Sequence, residues 1–365
     1  MRTRVALGIR TLTPQPRDVN FTVPSATDPT PIFELFRGNH ATELLVAAVA
    51  HLKVFARLAS GPKSPAELAA ELGLADRPAA VLFTALRAMG LLAPDASGRL
   101  ELTPVAREHL LPGGAFFVGD YCGLAADSPA VLAMTERLRT NRPANSEPAD
   151  SGAAFIYREG LESAMEREAS ARHLTLALAG RAKNVAPCLA RNLPLPSASH
   201  LLDLGGGTGV YALALLQANP ALRATVLDRP EVLKVAAEFA ADAGVGDRLS
   251  LVTGDMFAAD LPAADVVLLS NILHDWDVPE CRALIRRAAA ALPPGGRLLI
   301  HDVFLDDDLG GPLSIAMYSA ALFSLTEGRA YSAAEYRGWL LEAGLVPGDI
   351  VPTLVHCGVL TGTKR

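Results

Sequence analysis

The chain has 365 residues, half of them hydrophobic and a fifth charged, with a formal net charge of −6. That length allows two domains and a sizeable core, with the balance of an ordinary soluble globular protein. The charge argues against nucleic acid as a partner, since phosphate binding is supplied by clustered Lys and Arg.

The four cysteines (Cys122, Cys188, Cys281, Cys357) lie far apart and make no zinc spacing, which points to a reduced cytoplasmic protein. The early apolar run Val5 to Ile9 is too short for a signal peptide or a membrane span. Residues 1–30, with several prolines, read as a flexible arm.

From Pro31 the pattern turns helical. Leu44 to Leu58 is apolar on most sides, which predicts a helix buried in a core or against a partner chain, and hence a homodimer. Ser64, Pro65 and Glu67 form a helix start with a capping box, and Gly73 can end that helix. Arg77 to Met89 reads as the next helix, and Leu91 to Thr103 as a small hairpin. Helix, turn, helix and hairpin together make a winged-helix pattern. A DNA-reading helix needs basic and amide side chains, whereas Arg77 to Met89 offers two arginines among apolar residues, so a structural or dimerising role is the better expectation. Ser128 to Arg139 and Ala153 to Lys183 are further helical runs, and a proline-containing connector is expected from Pro187 to Ser199. The domain border is accordingly placed at 186/187, with a helical domain at 31–186 and a second domain at 187–365.

Beyond it, apolar runs at Leu201–Leu204, Ala224–Leu227, Leu249–Val252, Val266–Leu269 and Arg297–Ile300 alternate with helical segments, followed by a late helix (Ala333 to Ala343) and two short runs. This is the pattern of an α/β, Rossmann-like, doubly wound and mostly parallel sheet covered on both faces. Ligands of such sheets sit outside the carboxyl ends of the strands.

The glycine cluster Gly205-Gly206-Gly207-Thr208-Gly209 follows the first run and opens a helix, so backbone can approach a ligand there. Asp228 ends the next strand, where a carboxylate can hold ribose hydroxyls. The spacing alone does not choose a cofactor, and a loose dinucleotide pattern also fits. Asp203 just before the glycines disfavours a pyrophosphate and favours a cationic or zwitterionic ligand. Asp255, Met256 and Phe257 close the third strand with an acid and two apolar side chains, suited to an adenine.

Leu201 to Gly209, Asp228, Gly254 to Phe257 and the run Asn271-Ile272-Leu273-His274-Asp275-Trp276-Asp277 together resemble the class I S-adenosylmethionine-dependent methyltransferases. The set is similar, more narrowly, to small-molecule O-methyltransferases of the caffeate, hydroxyindole and polyketide-tailoring type. The resemblance covers roughly residues 31 to 362, and in that family the winged-helix domain serves dimerisation. It implies S-adenosylmethionine at Asp203, Gly205, Gly207, Gly209, Asp228, Asp255, Met256, Phe257 and Ser270, the last standing where a basic residue is often found. His274 is implied as the general base, with Asp275 beside it and Asp302 as its orienting carboxylate; alternation places His301 on the opposite side of the chain, in a structural role. A second helper carboxylate common in the family is replaced by Ala330.

Acceptor-pocket candidates are Phe155, Met165, Asn271, Phe304, Met317, Tyr318 and Phe323, each of which core packing also explains. No metal is expected. The implied activity is methyl transfer to a hydroxyl of a small aromatic or polyketide-like molecule. Alternatives are a metal-assisted C-methyltransferase acting on an α-keto acid and a ligand-sensing DNA-binding regulator.

Overall fold

The computed structural model describes residues 19–143, 156, 165, 168–195 and 199–365. The helical half begins with α1 (Thr30–Arg37), α2 (His40–Val46), a π turn (Ala47–His51) and α3 (Val54–Arg57). It continues through α4 (Pro65–Leu72), α5 (Asp76–Ala88), the antiparallel hairpin β1 (Leu92–Pro94) and β2 (Leu100–Leu102), α6 (Pro104–His109), α7 (Gly119–Gly123) and α8 (Pro129–Thr140). The capping box of α4 forms as expected, with Ser64 and Glu67 exchanging hydrogen bonds and Gly73 left-handed at the end.

Three expectations are corrected here. Leu44 to Leu58 is not one helix: the π turn and a left-handed Lys53 (φ 56°) divide it. Its side chains Leu44, Ala48, Val54, Phe55 and Leu58 are buried within this same chain, among residues of α5, α8 and a later helix, so they need no partner. The arm is not free over its whole length. Phe21 is buried and stacks on Phe239, while the Gln217 amide accepts from the Phe21 N–H and donates to the Val19 carbonyl; residues 1–18 lie outside the described residues. The connector at Pro187 is helical. α9 runs Glu168–Asn192 straight through that proline, because Ala182, Val185, Ala186, Leu189 and Ala190 bury a face against the next layer, and this packing outweighs the lost backbone bond.

The sheet half comprises β3 (His200–Leu204), α10 (Val210–Ala218), β4 (Arg223–Asp228), α11 (Pro230–Ala243), β5 (Leu249–Thr253), β6 (Val266–Ser270), a 3₁₀ turn (Leu273–Asp275), α12 (Val278–Ala291), β7 (Arg297–Val303), α13 (Leu313–Leu325), α14 (Ala333–Glu342), β8 (Leu345–Pro352) and β9 (Cys357–Lys364). The seven strands run in the order β5-β4-β3-β6-β7-β9-β8. Neighbours from β5 to β7 are parallel, and β9 lies antiparallel to both β7 and β8.

Alternation splits each strand between two cores. Leu201, Val266 and Leu268 join α9, α10 and α11, whereas Leu202, Val267 and Leu269 join α12 and α14. The strand order reverses between β3 and β6, so a crevice opens at their carboxyl ends. α13 was not foreseen as a helix. Its Ala316, Met317, Ala320 and Phe323 join the helical half's core and tie the two halves together.

Candidate active site

The glycine turn sits at the carboxyl end of β3. Gly205 has φ +67°, and a Cβ there would lie 2.6 Å from Ile272 Cδ1, so both conformation and space require glycine. Met256 stands on the same side, its sulfur 3.7 Å from that Cβ position, and Phe257 packs edge-on against Trp276. Asp228 accepts from the Gly207 N–H (2.8 Å) and the Arg229 N–H. Asp203 is fully buried under the turn, and neither carboxylate oxygen has a hydrogen-bond partner. Burial, with the Asp228 charge nearby, pushes its carboxyl up to about 7. A buried acid with both oxygens orphaned beside an open backbone turn fits a ligand that carries positive charge. Asp255 is exposed and caps its own turn through the Phe257 N–H.

His274 lies in the 3₁₀ turn after β6 and is buried. Its Nδ1 is 2.5 Å from Asp302 Oδ1 at the end of β7. Asp302 also accepts from the Val303 N–H (2.8 Å) and the Tyr336 hydroxyl (3.2 Å). Burial raises the Asp302 carboxyl, but the His274 charge and hydrogen bond outweigh it and hold it below the ordinary value. For His274, burial favours the neutral ring, yet Asp302 and Asp275 more than offset this and the net direction is up. An ionised Asp302 only accepts, so Nδ1 carries the proton and Nε2 is the nitrogen left to act as a base. Asp275 Oδ1 stands 3.7 Å from Nε2, and its own carboxyl is pushed to about 7, mainly by burial. Gly328 backs this loop: a Cβ there would fall 2.2 Å from the His274 carbonyl oxygen.

Other expected residues are placed differently. Ser270 Oγ is hydrogen-bonded to His301 Nδ1 (2.8 Å) and accepts from the Asn271 amide, so it braces the strand end. Ala330, where the resemblance expects an acid, is buried in an apolar cluster with Val303, Leu305 and Ile315. Asn271, left-handed at φ 56°, accepts from Arg181 (2.5 Å), and Tyr318 lies edge-on to His274 at 5.5 Å. Met317 and Phe323 are packed in the helical core, with the Arg77 and Arg137 guanidinium carbons 5.0 and 4.9 Å from the Phe323 ring centre. Phe304 packs on Tyr336. Met165 is half-buried, and Phe155 lies outside the described residues. Sequence reasoning missed Tyr336, Gly328, Arg37 and Arg181, all distant in the chain from the motifs they serve. Among the described residues no group of three His, Cys, Asp or Glu side chains could hold a metal ion, and no helix is long and apolar enough to cross a membrane.

Comparison with known proteins identifies the family. The model of an O-methyltransferase domain matches residues 163–346. A 3-hydroxy-5-methyl-1-naphthoate 3-O-methyltransferase of Streptomyces sahachiroi is 36% identical over 88% of this chain and 91% of its own. The solved O-methyltransferase family 2 protein of Planctomyces limnophilus, in complex with apigenin, is 49% identical with a TM-score of 0.87, covering 96% of this chain and 100% of that one. An O-methyltransferase from neocarzinostatin biosynthesis, in complex with S-adenosylmethionine and 2-hydroxy-5-methyl naphthoic acid, is 26% identical with a TM-score of 0.56, over 89% and 96% of the two chains. Likeness of this extent to named O-methyltransferases means that this chain belongs to the O-methyltransferase family.

Proposed function

We propose that the protein transfers a methyl group from S-adenosylmethionine to a hydroxyl of an aromatic, polyketide-like small molecule, with His274 as general base. The observation that carries this is the His274–Asp302 pair, which leaves Nε2 as the proton acceptor at the carboxyl edge of the sheet. S-adenosylmethionine, when bound, supplies a methyl already activated on a sulfonium. Asp203 gives its positively charged end a counter-charge, Asp228 accepts from the ribose, and Met256 and Phe257 offer apolar surface to the adenine. What the protein adds is orientation of the acceptor oxygen and removal of its proton, the latter contributing about 10²–10⁴-fold. Incubation with S-adenosylmethionine and hydroxynaphthalene acceptors, followed by mass spectrometry, should show a gain of one methylene on oxygen. Transfer to ring carbon, or no product, would overturn the reading.

The α4, α5 and β1–β2 arrangement supports a winged-helix role in dimerisation rather than DNA binding. Arg77 is buried and bonded to Asn141 and the Thr326 carbonyl, Arg87 pairs with Asp308, and most of α5 is packed away. Exposed apolar side chains on α1 (Ile32, Leu35, Phe36) offer the dimer a surface that the buried Leu44–Leu58 segment does not. In this reading the helical half covers the acceptor, the sheet half, with α9 packed on it, holds the cofactor, and the protein works in the cytoplasm. Light scattering at micromolar concentration tests the dimer, and a monomer mass would remove it.

A further inference from the structure

Two arginines lie near the base, and among the described residues the first, Arg37, differs from the other buried cations in its partners. Arg77 donates to the Asn141 side chain and to backbone carbonyls, Arg137 donates to backbone carbonyls, and Arg329 is paired with Glu335. Arg37, at the end of α1, is 7% exposed and makes no hydrogen bond or ion pair among the described residues; its guanidinium carbon lies 3.6 Å from the centre of the Tyr318 ring. Arg181, on α9, lies 5.8 Å from the same ring centre. It donates to Asn271 Oδ1 (2.5 Å) and Cys357 Sγ (2.8 Å), and its buried Nε has no partner. Neither acceptor is an anion, since burial keeps the Cys357 thiol protonated and a thiol sulfur accepts weakly. Tyr318 is in turn edge-on to His274. Two guanidiniums with no carboxylate in ion-pair contact among the described residues thus share one aromatic wall with the base, although Arg181 feels the Asp302 charge from further off. Desolvating charge without a partner is costly, and a guanidinium fork matches a carboxylate in both shape and charge.

We propose that Arg37 and Arg181 recognise a carboxylate on the ring of the methyl acceptor, so that the site selects hydroxyaryl acids over neutral phenols. This rests on the reading of the site as one that methylates an aromatic hydroxyl. Arg37 belongs to the helical cover rather than to the glycine turn, which assigns the anion to the acceptor and not to the amino-acid end of the cofactor.

The test is calorimetry on the full-length protein saturated with S-adenosylhomocysteine, using 3-hydroxy-1-naphthoate and its neutral match, 3-hydroxy-1-naphthamide. The acid should bind about 10–100-fold more tightly than the amide, as charge-assisted hydrogen bonds imply. Arg37→Met and Arg181→Met, each first shown by melting to be folded, should abolish most of that preference and leave S-adenosylhomocysteine affinity unchanged. Arg37→Lys should restore part of it. Equal affinity for acid and amide in the wild type, which needs no variant, overturns the proposal, as does failure of the acid to bind. A preference that survives both substitutions also overturns it. So does loss of S-adenosylhomocysteine affinity in the variants, which would assign the arginines to the cofactor carboxylate. Preserved acid preference with no methyl ether by mass spectrometry would instead sink the methyl-transfer reading and leave anion recognition standing.

Discussion

His274 and His301 are both buried, both near the carboxyl ends of neighbouring strands, and yet they are driven in opposite directions. His274 has a carboxylate on Nδ1 and a second one near Nε2, and its proton affinity rises. His301 has only hydroxyls, Ser270 on Nδ1 and Thr353 on Nε2, and burial, with Arg181 adding repulsion, pushes it down to about 3. Burial is common to the two and cannot explain the difference; the partner decides it. One ring can take up a proton at neutral pH and the other is a neutral brace.

The sharpest way to break this contrast is His274→Ala. Turnover of a phenolic acceptor should fall by about 10²–10⁴-fold while S-adenosylhomocysteine affinity is retained. Unchanged turnover would remove the base assignment. Asp302→Asn should cost less and be more informative. The carboxylate is what holds the His274 value up against burial, so without it the protonated, inactive form disappears at lower pH. The rising limb of kcat/KM against pH should therefore move to lower pH, with a lower plateau because the ring is less well oriented. A limb that stays in place would mean that another group titrates.

The same contrast shows what could be read from the sequence. The glycine turn, Asp228 and the His274 run were legible because each is local: a few residues at fixed spacing carry the chemistry. Asp302 was legible only through family resemblance, and alternation then separated it from His301. Tyr336, Gly328, Arg37 and Arg181 were not legible, because each reaches the site through the fold from another element. α13 was missed for a different reason. It is apolar on nearly every side, so it shows no polar stripe to reveal a helical period. The Leu44–Leu58 run misled by its apolarity, which promised a partner chain and was met by α5, α8 and α13 of the same chain.

Gly328→Ala would sharpen the contrast from behind. The added Cβ would meet the His274 carbonyl and the Trp276 N–H, which are backbone and cannot swing away. A loss of about 1–3 kcal/mol in denaturant unfolding is expected, with a larger loss of activity. Normal stability and rate would show that the loop is not fixed by this contact. Asp203→Asn tests the other buried acid. Its folded value of about 7 lies above the unfolded one, so the native state binds the extra proton between about pH 4 and pH 7, and this contribution to stability is lost as pH rises through that window. Cofactor-free Asp203→Asn protein should therefore gain stability relative to wild type as pH rises from about 4 to about 7, with no further change above that, and should bind S-adenosylmethionine more weakly. A difference between the two proteins that does not vary with pH would refute this.

The smallest effect is expected at His301, where the comparison is most exposed to failure. His301→Asn keeps a polar side chain between Ser270 and Thr353 but cannot titrate. If the ring is only a brace, kcat should change by no more than about threefold and the pH profile of kcat/KM should keep its midpoint. Stability gives the matching sign. The folded value lies below the unfolded one, so the unfolded chain takes up a proton that the native ring refuses. Wild-type stability is therefore lost as pH falls from about 6.5 towards 3. Melting temperatures of the variant should fall less steeply than those of the wild type over that range. A large loss of rate with a displaced midpoint would make His301, and not His274, the group that takes the proton.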